Sequence, residues 1–119
     1  MSTMICKPVF RKSSSLSPSA TKRKGVRERR LLTQGECSYQ NIVLIDIDAG
    51  AEVELHPYPT SETIYVLQGE IEILLPESTE CIESGDLYHF PPGATHGLRC
   101  LKGPGQFLII FAPPRGTVS

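Results

Sequence analysis

Apolar and polar positions alternate in short runs along most of the chain. Ala51-Glu52-Val53-Glu54-Leu55 alternates strictly, and Glu70-Ile71-Glu72-Ile73-Leu74 puts acids on one face and apolar residues on the other. A period of two is the signature of a half-buried strand. Ile42 to Asp48 is β-branched and begins to alternate at its end. Ile64–Gln68, Thr79–Ile82, Asp86–Phe90, Thr95–Leu101 and Gln106–Ala112 complete the predicted strands, which begin from Val26. Turn glycines stand at Gly35, Gly50, Gly69, Gly85 and Gly103, spaced by 15, 19, 16 and 18 residues, each close to one hairpin. Short strands with regular turn signals predict an all-β sandwich or barrel. The spacing is uneven and no sequence echo accompanies it, so a true repeat is not expected.

Composition agrees. The 119 residues include 10 Gly and 10 Pro, and no segment longer than Glu36–Ala49 escapes both. That excludes long helices, bundles and coiled coils. No apolar run approaches the roughly 20 residues of a membrane helix, and the N-terminus lacks the apolar stretch of a secretory signal. The four cysteines, Cys6, Cys37, Cys81 and Cys100, form no C-x-x-C pair. Free thiols in a reducing compartment are expected, hence a soluble, cytoplasmic protein without a membrane partner.

The net charge of −1 hides an asymmetry. Residues 1–30 hold nine basic residues and one acid, whereas residues 31–119 hold three basic residues and twelve acids. Such a split marks a tail on a folded body. Residues 1–25 therefore read as a basic, serine-rich arm and 26–119 as the barrel. Ser13–Ser19 carries five serines and reads as a linker. Met4–Phe10 contains Ile5, Val9 and Phe10, a short apolar patch that could pair as a strand on a neighbouring subunit. The basic cluster Lys22–Arg30 has no interleaved aromatic residue on which bases could stack. A solvated strand edge is expected there, and nucleic acid is not an expected partner.

Chemistry concentrates around the histidines. Residues i and i+2 of a strand share a face, so His56 and Tyr58 can point into one cavity. Glu62 opens the next strand after a stretch in which Pro59 favours a tight corner. His96 follows the rigid Pro91-Pro92-Gly93-Ala94-Thr95 turn. Strict alternation places Glu54 on the face of His56, where an unpaired acid is costly. Either a bulge turns it outward or it braces the site from behind. Cys100 shares parity with His96 and is expected inside, but four residues of strand, about 13 Å, separate it from any ion His96 could bind. His89 is left as a core or surface histidine.

These residues resemble the two sequence motifs of the cupin superfamily. Gly50, five residues, His56-Pro57-Tyr58, three residues, Glu62, six residues and Gly69 follow the first motif, except that Tyr58 stands where a second histidine is expected. Gly85, five residues, Pro91-Pro92-Gly93, two residues and His96 follow the second, with Cys100 in place of an asparagine. The resemblance covers roughly residues 31–113. It implies a double-stranded β-helix, the jelly-roll barrel of small cupins.

The resemblance further implies a divalent metal ion (Fe, Mn, Ni, Co or Zn) on His56, Glu62 and His96. Tyr58 then becomes a possible fourth ligand or substrate contact. A third outcome is an organic ligand held without metal. Dioxygenase- or isomerase-like chemistry on a small organic substrate is one implied function; sensing a small ligand or a metal without turnover is the other. Small cupins resemble one another in forming dimers through sheet edges or exchanged N-terminal strands, so a homodimer is expected.

Overall fold

The computed structural model describes residues 7–115. Apart from a 3-10 turn at Ser13–Ser15, the regular elements are strands: β1 (Ser19–Ala20), β2 (Val26–Leu32), β3 (Asn41–Ile47), β4 (Glu52–Pro57), β5 (Ser61–Leu74), β6 (Thr79–Glu83), β7 (Leu87–Phe90) and β8 (Thr95–Ala112). All pairings are antiparallel. The all-β expectation holds, and the architecture is a jelly roll.

The two longest strands organise it. The second half of β8 lies between β3 and the first half of β5, with Ile45 opposite Phe107 and Val66 opposite Phe107. The first half of β8 lies between β4 and the second half of β5, with Leu98 opposite both Val53 and Ile73. Each long strand thus belongs to two layers and changes layer at one corner. β2 and β1 extend the first layer, β7 closes its other side, and β6 flanks the second layer.

The turns predicted at Gly69 and Gly103 are therefore corners inside continuous strands. At Gly69 the register of β5 against β8 shifts repeatedly between Val66 and Ile71. Such irregularity bends a strand and increases its twist. Gly69 has φ +89°, and a Cβ there would lie 2.7 Å from the Lys102 carbonyl oxygen and 2.9 Å from Gly105 Cα. Only glycine turns this corner without moving the backbone of β8.

Alternation sorts the side chains as expected. Val43, Ile45, Ile47, Ile64, Val66, Phe107, Ile109 and Phe111 point in from the first layer; Ile71, Ile73, Leu98 and Cys100 meet them from the second. Cys100 is buried, in agreement with its parity, and Cys37, Cys81 and Cys100 are free thiols among the described residues. Burying apolar side chains of this size contributes about 1.5–3 kcal/mol each.

The basic segment is stitched into the sheet. Ser19 and Ala20 pair with Arg27 and Glu28. Arg27 reaches Asp48 at 2.8 Å, Arg29 reaches Asp46 at 3.0 Å, and Arg23 grips Glu54 through two bonds of 2.9 and 2.7 Å. Arg11 donates to the Leu31 carbonyl and pairs with Glu36. The arginines of the basic cluster thus neutralise acids of the body. The proposed exchange strand Met4–Phe10 falls partly outside the described residues; Lys7–Phe10 is not strand, and Phe10 is 89% exposed. No helix among the described residues is long and apolar enough to cross a membrane.

Candidate functional site

Glu62 and His96 reach the same place from different layers. Glu62 is the second residue of β5, opposite Phe90 on one side and Phe111 on the other, and its side chain points inward. His96 is the second residue of β8, opposite His56 of β4. The turn before it is fixed by the chain near Tyr58: the Gly93 N–H donates to the Tyr58 carbonyl at 2.7 Å, and the Tyr58 N–H to the Ala94 carbonyl at 3.4 Å. Both acid and imidazole are buried, and Glu62 Oε2 lies 3.2 Å from His96 Nε2.

The His96 ring is held on three sides. Phe90 stacks on it with centroids 3.7 Å apart and planes 4° from parallel, and Tyr58 lies at 4.6 Å, tilted. Nδ1 sits 3.2 Å from the Ala94 carbonyl. A carbonyl only accepts, so Nδ1 carries the hydrogen and Nε2 presents its lone pair in the neutral ring. That lone pair faces a carboxylate oxygen, an arrangement that a shared proton or a bound cation relieves.

Tyr58 follows β4 and is buried, whereas His56 is exposed. Their rings are 5.3 Å apart. His56 Nδ1 faces the Pro57 carbonyl at 2.6 Å, which again leaves Nε2 as the lone-pair nitrogen. The Tyr58 hydroxyl donates to the Glu54 carbonyl at 3.3 Å. Burial, foremost, pushes its phenol above the ordinary tyrosine range. Glu54 itself is turned outward, because the β4–β8 register shifts between Val53 and His56. There the Arg23 guanidinium holds its carboxyl down to about 2. Gly97 permits this close seating of β4, since a Cβ would come within 2.5 Å of the Val53 carbonyl oxygen. His89 is exposed, its Nδ1 2.9 Å from Thr63 Oγ1, away from the site.

Arg115 is the residue that sequence reasoning missed. Its backbone N–H donates to Asn41 Oδ1 at 2.6 Å, and its Nη1 lies 3.2 Å from Glu62 Oε2. Its guanidinium carbon stands 4.6 Å from the Tyr58 ring centre and 5.3 Å from that of Phe111. Beneath Arg115 and Tyr58, Glu62, His96 and apolar core residues enclose a cavity of about 20 Å³, room for one water or ion. Above them, Lys22, Arg23, Glu54 and His56 line a groove of about 230 Å³. One signal in the sequence pointed to Arg115: it is one of only three basic residues after Arg30.

Among the described residues no group of three or more His, Cys, Asp or Glu side chains is arranged to hold a metal. Two of the three expected donors nonetheless fit one. Donors about 2.0–2.1 Å from a shared ion stand about 3–3.4 Å apart, and Glu62 Oε2 and His96 Nε2 are 3.2 Å apart. His56 stands opposite His96 in the register, its ring turned toward Pro57. The donor set suits a divalent ion in kind, and Arg115 is the cation that meets Glu62 in this arrangement.

Residues 43–111, more than half of the chain, match the family model for the cupin domain, and the chain belongs to that family. It is 28% identical over 67 residues to oxalate decarboxylase OxdC of Bacillus subtilis (strain 168), a match covering 52% of this chain and 17% of that protein. The chain thus spans about a sixth of that relative's length. In fold it is similar to KdgF from a Halomonas species, with a TM-score of 0.84 at 20% identity, covering 92% of this chain and 96% of the other. It is similar also to ectoine synthase from P. lautus, with a TM-score of 0.80 at 24% identity, covering 92% and 80%.

Proposed function

We propose that this protein is a small metal-binding cupin acting on a small organic molecule at the mouth of its barrel, with dioxygenase- or isomerase-like chemistry. The observation that carries this reading is the buried Glu62–His96 pair, two donors 3.2 Å apart beside a cavity of ion size. His56, Glu62 and His96 would hold the ion, one of Fe, Mn, Ni, Co or Zn. Bound there, it would supply Lewis acidity or activate a small oxidant.

The chain's own residues do the rest. Phe90 and the Ala94 carbonyl fix the His96 ring and its tautomer. Tyr58 and Phe111 hold the Arg115 guanidinium against their rings, and Arg115 balances the Glu62 charge. The likeness to oxalate decarboxylase supports a small substrate but does not select it. The protein acts in the cytoplasm, as a homodimer with its N-terminal arm near the interface; light scattering should give twice the chain mass.

Elemental analysis of protein purified without chelator tests the metal reading. About one ion per chain is expected, lost on His56→Ala or His96→Ala while the barrel's β-type circular dichroism persists. A metal-free protein that refuses all five ions would favour the second reading, a binding domain that senses a small ligand without turnover.

A further inference from the structure

The groove above the cavity carries more positive than negative side chains. Lys22, Arg23 and Arg115 line it with one carboxylate, Glu54, which Arg23 engages. Glu62, beneath, engages Arg115. His56 and Tyr58 form the remaining wall, so the groove offers charge, imidazole and an aromatic face within one small volume. The cations come from opposite ends of the chain. Lys22 and Arg23 belong to the turn between β1 and β2, and Arg115 follows β8 beyond Pro113 and Pro114.

Arg115 is placed for recognition. Its guanidinium is stacked near two rings, 4.6 Å from Tyr58 and 5.3 Å from Phe111, and its backbone is tethered to buried Asn41. Stacking on rings consumes none of its five N–H donors, and Nη1 is the donor directed at Glu62. A planar guanidinium held in this way matches a carboxylate in a two-pronged pair. Arg115 and Tyr58 also line both the groove and the cavity below. A carboxylate paired with Arg115 in the groove would therefore lie across the Arg115–Tyr58 pair from Glu62 and His96.

We propose that this groove is an anion subsite that selects a small organic acid, with Arg115 as the primary contact and Lys22 as the secondary one. The inference deepens the function proposed above and names its substrate class.

Calorimetric titration of the full chain with malonate, and with malonamide as its neutral counterpart, tests it. The first arm uses chelator-treated protein and the second adds Mn²⁺. Malonate should bind in both arms, and malonamide at least roughly tenfold more weakly. Arg115→Gln should weaken malonate by roughly tenfold or more, and Lys22→Gln by about threefold. Lys102→Gln, a cation paired with Glu70 on the far side of the barrel, should change nothing. Each variant's melting temperature is measured first; if Arg115→Gln fails to fold, Lys22→Gln and the malonamide comparison decide.

Equal binding of malonamide overturns the subsite, as does inorganic phosphate binding as tightly as malonate. Malonate binding that requires Mn²⁺ and ignores Arg115→Gln also overturns it while leaving the metal reading intact. Malonate binding that depends on Arg115 in a protein that retains no metal sustains the subsite and removes the metal reading.

Discussion

The two ends of the barrel are built from the same two strands and solve opposite problems. At the corner, β5 and β8 cross with their interiors filled. A Cβ on Gly105 would strike Ile47 Cγ2 at 2.7 Å, Cys100 Sγ at 3.0 Å and Ile71 Cδ1 at 3.3 Å. At the mouth the same strands present Glu62 and His96, both buried, with a small cavity between the layers. Apolar packing rewards every atom placed at the corner. At the mouth, burial of charge is costly and must be offset by partners. Apolar contacts dominate the corner, whereas the mouth adds a buried acid and imidazole to its apolar packing, so substitutions at the two ends should act differently.

The largest expected effect lies at the corner. Ile71 is fully buried between Cys100 on β8 and Ile82 on β6. Ile71→Ala should cost about 2–5 kcal/mol in urea unfolding, through lost transfer energy and the cavity left behind. Metal content and malonate affinity of the folded fraction should not change. A matching loss of ligand affinity would mean that the two ends are coupled.

At the mouth, Glu62→Gln keeps the shape and removes the charge that faces His96 and Arg115. A loss of about 1–3 kcal/mol is expected, since both partners stay partly or wholly buried. Metal retention should fall more than stability does. Elemental analysis beside a thermal melt reads both, and a large stability loss with full metal content would contradict that difference.

The corner and the mouth were not equally legible in the sequence. Alternation in Val53, Ile71 and Ile73 reported which face each side chain takes, because period two is a local property. It broke where a register shift intervened. Glu54, one bulge away from His56, points out to Arg23 rather than in. The continuity of β5 through Gly69 was also hidden, since a glycine that turns a corner and one that ends a hairpin look alike. Glu62 and His96 were named from the motif spacing, and their side chains lie 3.2 Å apart, whereas His56, named with them, is exposed with its ring toward Pro57. Arg115 was not named, because its contacts reach across 53 residues to Glu62 and 74 to Asn41, and no local pattern encodes such pairs.

A smaller effect should follow from the pair that joins the basic segment to the mouth. Glu54 titrates at about 2 in the folded protein, below its ordinary 4.5, chiefly because Arg23 hydrogen-bonds to it. A depressed carboxyl stabilises the fold above pH 4.5, and this contribution is lost as the pH falls from 4.5 toward 2. The Glu54 side chain is 61% exposed, so solvent screening holds the gain to about 0.5–1 kcal/mol. Glu54→Gln should lower the melting temperature by about 2–5 °C at pH 7. The gap should close by pH 2 and narrow in 1 M salt. A gap independent of pH would assign the loss to packing instead.

A comparably small change in stability is expected where chemistry and packing overlap most closely. Tyr58 touches the His96 ring and lies under Arg115. It is the residue that departs from the first family motif. As a metal ligand it would have to lose its proton, and burial opposes that by raising its phenol above the ordinary value. Its hydroxyl is directed instead at the Glu54 carbonyl, through a long bond of 3.3 Å. Tyr58→Phe removes that bond and keeps the ring on which His96 and Arg115 rest. Stability should fall by no more than about 1 kcal/mol, and metal content should be unchanged by elemental analysis. Loss of the ion with an intact melt would instead make the phenolate a ligand. The mouth would then depend on a deprotonated tyrosine that its own burial disfavours.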